Sequence, residues 1–93
     1  MPYVGRYTSS EAIHDLSLQG GQLMLQITFK GGFPTPETPP PPSPPPVRLA
    51  LCGEDRIVAL DHPLKGERGE FLRDPDGSIA WFRFGGRIRK REG

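Results

Sequence analysis

Glu70-Phe-Leu-Arg-Asp-Pro-Asp-Gly-Ser-Ile-Ala-Trp-Phe-Arg-Phe84 sets two apolar runs on either side of Asp74-Pro75-Asp76-Gly77. Proline presets φ for the second position of a tight turn, and glycine accepts the positive φ that closes it. The stretch therefore predicts a β-hairpin in which Asp74, Asp76 and Gly77 are turn residues with a structural role. Trp81, Phe82 and Phe84 are three bulky groups that cannot all point to one face of a strand. Either a bulge intervenes or both faces are covered, which makes Trp81 and Phe82 candidate interface residues.

Working outward, the same grammar recurs. Leu23, Leu25, Ile27 and Phe29 alternate with Gln22, Met24, Gln26, Thr28 and Lys30, the period of a half-buried strand. Gly20-Gly21 precedes it and suits a two-residue hairpin turn, so both glycines are read as structural. Tyr3 to Thr8, Ala12 to Leu18, Val47 to Cys52, Arg56 to Leu60 and Arg87 to Arg91 supply further short strands, the last as a sheet edge. Turn signals fall every eight to twelve residues and no helical period is visible. These features predict an all-β fold: a small antiparallel up-and-down barrel of about eight short strands. Its interior should include Leu23, Leu25, Ile27, Phe29, Leu49, Leu51, Phe71 and Phe84.

With 93 residues, the chain makes one domain, 1–93. Nine of the 13 residues from Pro34 to Pro46 are proline, which can neither donate to a ladder nor sit inside a helix. The tract at 34–46 is read as a solvent-exposed, extended inter-strand loop. Its P-x-x-P spacing from Pro36 also fits the aromatic grooves of adaptor domains, although no Arg or Lys lies within it to orient docking. The abrupt start at Met1-Pro2-Tyr3 reads as the edge of an excised domain.

Net charge is +1, so nothing global demands an acidic partner. The lone Cys52 excludes an internal disulfide and reads as a small strand residue rather than a reactive thiol. No apolar run approaches the roughly 18 residues of a membrane span.

Chemistry is harder to find. His14 falls within a strand and His62 precedes Pro63 in a loop, and neither has the spaced partners that a metal or acid–base site needs. None of Ser9, Ser10, Ser17, Ser43 and Ser78 has lysine three residues on, and none lies in Gly-x-Ser-x-Gly. The Gly-Gly pairs end strands instead of opening helices, so no phosphate loop is present. The expectation is a non-enzyme with no catalytic, cofactor-binding or metal-binding residues. Arg87-Ile-Arg-Lys-Arg91 could touch phosphates while Trp81, Phe82 and Phe84 stack bases. Acidic residues dispersed along the chain weigh against nucleic acid as the partner.

The order Tyr3-x-Gly5-x-Tyr7, Gly20-Gly21-Gln22-Leu23-x-Leu25, a proline-containing loop, Val47-x-Leu49, Gly53-Glu-Asp-Arg-Ile-Val58 and Phe71-x-Arg-Asp74-x-Asp-Gly77-x-Ile79-x-x-Phe82-x-Phe84 resembles a known module. It is similar to the lipocalin-like β-barrel domain found C-terminal to the catalytic domain in serine β-lactamase-related and penicillin-binding-protein-like hydrolases. The resemblance implies an accessory role beside a serine hydrolase domain in the same parent chain, shaping access to its cleft or mediating self-association as a homodimer. It carries no catalytic residue onto this chain, and the long Pro-rich loop departs from the family's compact one. The alternative from the residues alone is a free-standing small-barrel binding module for a small ligand, nucleic acid or an adaptor.

Overall fold

Eight strands follow one another along the chain in the computed structural model, which describes residues 2–30 and 42–92. They are β1 (Gly5–Thr8), β2 (Ala12–Gln19), β3 (Gln22–Phe29), β4 (Val47–Gly53), β5 (Arg56–Ala59), β6 (Arg68–Arg73), β7 (Ile79–Phe84) and β8 (Arg87–Arg91). Each pairs antiparallel with the next, and β8 returns to β1 to close the barrel. The all-β, eight-stranded antiparallel barrel expected from the sequence is what the chain forms. Among the described residues no helix is long and apolar enough to cross a membrane.

The turns explain the register. Gly20 and Gly21 both take positive φ (58° and 81°), the geometry whose twist matches that of the flanking strands. The pairing Gln19↔Gln22 then runs unbroken to Ala12↔Phe29. At the β6–β7 turn Gly77 N donates to Asp74 O, Asp74 N to Ser78 O, and Ser78 N to Asp76 Oδ1. A register shift opposite Leu72 and Arg73 sets Ala80 into a bulge. That bulge lets Ile79 and Phe82 both point inward, and plain alternation then sends Phe82 and Phe84 into the barrel and Trp81 outward, half-buried, with Lys90 Nζ 5.9 Å from its ring centre.

The interior is filled along its axis by a column of rings. Tyr3 stacks on Phe71 at 4.4 Å, Phe71 on Phe82 at 4.8 Å, and Phe82 on Phe84 at 5.5 Å, with Tyr7 tilted against Phe71 and Phe82. A barrel of eight strands has an interior just wide enough for such side chains. The column demands space opposite it on β6. A Cβ on Gly69 would lie 2.9 Å from Arg83 O and 3.0 Å from both Phe82 and Phe84 rings, so only glycine lets β6 approach.

Three expectations need correction. Leu51 has inward parity, paired with buried Ile57, but sits at the barrel rim and is 51% exposed. Phe29 is half-buried, packed against the core from the opposite rim. β8 is no edge strand, because its pairing with both β7 and β1 completes the ring. Cys52 is an exposed residue of β4. Within the Pro-rich tract, residues 42–46 form an irregular, mostly exposed approach to β4, tied down where Gln26 Nε2 donates to Pro44 O at 3.0 Å. Residues 34–41 lie outside the described residues.

Candidate functional site

The two barrel ends differ in kind. At the end formed by the β2–β3, β4–β5 and β6–β7 turns, polar groups are mutually satisfied. Tyr7 Oη donates to Tyr3 O at 2.9 Å, and Tyr3 Oη donates to Asp55 Oδ1 at 2.8 Å. Arg73 grips Asp55 through Nε and Nη2 (2.8 and 2.9 Å) and donates from Nη1 to Gly77 O. This clamp, Arg73 first and Tyr3 second, holds the Asp55 carboxyl near pKa 2, while burial pushes the Tyr3 phenol up. Arg91 closes the seam by donating to Val4 O and Ile79 O.

At the other end the interior opens into a cavity of about 340 Å³. Its apolar wall is Ala12, Ile27, Phe29, Leu64 and Phe84. Its polar wall is His14 and Arg89, with Glu11, Glu67 and Arg87 at the rim. The β5–β6 connection supplies Leu64 and Glu67, and it is pinned by Arg48 gripping Asp61 and by Leu60 N donating to Arg48 O. That grip holds the Asp61 carboxyl near pKa 2.

His14 and Arg89 are the core's two buried polar or charged side chains among the described residues, 2% and 8% exposed. Register puts them there. His14 pairs with Tyr7 on one side and Ile27 on the other, all inward. Phe82 pairs with Arg89 and Phe84 with Arg87 across the two-residue turn at Gly85-Gly86, so inward phenylalanines dictate inward arginines. The 87–91 stretch is therefore not a loose basic tail. Arg87, Arg89 and Arg91 share the inner face, and Ile88 and Lys90 face out.

Arg89 Nη1 donates to Phe84 O (2.8 Å) and Arg87 O (3.1 Å), but its Nε has no hydrogen-bond partner among the described residues, and neither does His14 Nδ1. No carboxylate lies within ion-pair reach of Arg89 among them, whereas Arg87 is held by Glu11. Burial chiefly, and the neighbouring Arg89 charge second, lower the His14 pKa to about 3, so the imidazole is neutral near pH 7. Burial also lowers the Arg89 pKa, the Arg87 charge adds to that effect, and Glu11 opposes it. The His14 ring stands edge-on to Phe82 and Phe84, 6.1 Å from each.

No family model matches the chain, and no curated protein matches it. The site therefore rests on geometry alone. Of the residues singled out in the sequence, Gly20, Gly21, Asp74, Asp76 and Gly77 lie in turns at the closed end. Phe82 is wholly buried in the ring column, leaving Trp81 as the outward member of that pair. Neither is in the cavity wall, and His62 is an exposed loop residue. No group of three or more His, Cys, Asp or Glu able to hold a metal occurs among the described residues. The candidate site is instead His14 and Arg89. Hairpin register was the signal that could have found Arg89, which follows from an inward Phe82 and a two-residue turn.

Proposed function

We propose that the barrel is a non-catalytic binding module that receives a small molecule at the His14–Arg89 end. One observation carries this reading: a buried guanidinium without a carboxylate partner among the described residues lines a 340 Å³ cavity beside a buried imidazole. Burying an uncompensated charge or an unpartnered polar atom costs several kcal/mol, and a ligand that supplies the partner recovers it. Bracing the β7–β8 turn uses only Nη1 of Arg89 and leaves the rest of the head unexplained. The volume falls at the small end of the range for ligand pockets, roughly 300–1,000 Å³. Two-dimensional amide spectra recorded with small anionic, neutral and cationic amphiphiles test the reading. Shifts should concentrate at Ala12, His14, Ile27, Phe84 and Arg89; shifts scattered over the outer face, or none, would defeat it.

A second reading, attachment to a serine hydrolase domain as an accessory module, draws support from the outer face of the β6–β8 sheet. There Leu72 pairs with Trp81 and Arg83 with Ile88, which is 48% exposed, so three apolar groups share one surface. Self-association through this face is its simplest consequence. Sedimentation should then show a dimer that Trp81→Glu dissolves, and a strict monomer at millimolar concentration would count against it.

A further inference from the structure

We infer that the mouth cavity takes a small monocarboxylate with an apolar tail, held by the Arg89 guanidinium. This rests on the binding-module reading above and names its ligand class. Nη1 is committed to the carbonyls of Phe84 and Arg87, so the donors left to a ligand are on the opposite edge of the head. Among the described residues neither Nε, which is sealed from solvent, nor Nη2 has a partner, so Nη2 is the donor the cavity can reach. A guanidinium N–H donating to a carboxylate makes a charge-assisted hydrogen bond, roughly twice as strong as a neutral one. Neutral His14, buried in the wall of the same cavity, adds no competing charge to the ligand.

The charge around the site selects a monoanion. Arg87 is neutralised by Glu11, and Glu67 adds a negative charge at the rim, so one arginine is available to the ligand. A dianion would leave one charge uncompensated in a partly dry site. Ala12, Ile27, Phe29, Leu64 and Phe84 provide the wall for a short hydrocarbon body. Glu67 is also the ligand's natural competitor, because it is the rim carboxylate without an ion pair among the described residues.

Hexanoate, 1-hexanol and hexylammonium share one tail and differ in the head, so titrating the full chain with each separates ligand class from binding as such. Hexanoate should bind at least about tenfold more tightly than either analogue. Its addition should move the Arg89 Nε–Hε resonance downfield, and hexanol should not. Arg89→Gln should erase the preference for hexanoate over hexanol, and Glu67→Gln should strengthen hexanoate binding. Should Arg89→Gln fail to fold, the Nε–Hε shift of the wild-type chain still decides. Equal binding of hexanoate and hexanol with an unmoved Arg89 resonance would overturn the carboxylate assignment and leave a binding module standing. Absence of binding by all three would overturn both.

Discussion

Lowering the pH from 7 to 5 should destabilise the barrel by about 2 kcal/mol, with His14 responsible for nearly all of the loss. In the unfolded chain the imidazole takes up its proton near 6.5, whereas in the barrel burial chiefly, and the Arg89 charge second, hold that value near 3. Between the two values the unfolded state binds one more proton than the folded state. Stability is therefore fully present above about pH 6.5 and falls by about 1.4 kcal/mol per unit as the pH drops toward 3. The aspartates do not confuse this window. Asp55 and Asp61 are held near 2 by Arg73 and Arg48 against an ordinary 3.8, so their contribution is lost only at lower pH. Urea unfolding of the wild type and of His14→Leu at pH 7 and pH 5 is the assay. With a slope of about 2 kcal/mol/M, the wild-type midpoint should fall by roughly 1 M, and the variant midpoint should hardly move. Arg87, Arg89, Glu11 and Glu67 line the same cavity in both proteins, so the difference isolates the imidazole. An equal fall in both would refute the reasoning.

Gly69→Ala should cost about 1–3 kcal/mol in chemical unfolding, because the added carbon meets backbone and two stacked rings that cannot retreat. Tyr7→Phe removes the bond to Tyr3 O in a fully buried setting and should cost about 1–2 kcal/mol in the same assay. Replacing residues 34–43 with a short Gly-Ser link, keeping Pro44 for its bond to Gln26, should change stability by no more than about 1 kcal/mol, since loop-closure entropy grows slowly with length. Failure of that protein to fold would make the tract structural.

The barrel was legible because its signals are local. Alternation from Leu23 to Phe29 and glycine pairs at positions 20–21 and 85–86 define hairpins without reference to anything distant. Leu51 misleads because parity predicts direction but not depth, and its strand ends at a rim. The candidate site was hidden for a related reason. Arg87 to Arg91 looks like a solvated charged edge in composition, and only the pairing of Phe82 with Arg89 turns that arginine inward. His14 needs no compensating partner to be buried when neutral, so no neighbouring residue in the sequence announces it.

On the ligand assignment proposed above, Arg89 anchors a small carboxylate at the open end of the barrel. A crystal structure of the full chain grown with saturating hexanoate tests it most directly. The carboxylate is expected within hydrogen-bond distance of Arg89 Nη2, with the tail against Ile27, Leu64 and Phe84. Hexanoate seated elsewhere, or a mouth filled by the Glu67 side chain on Arg89 at saturating ligand, would contradict it.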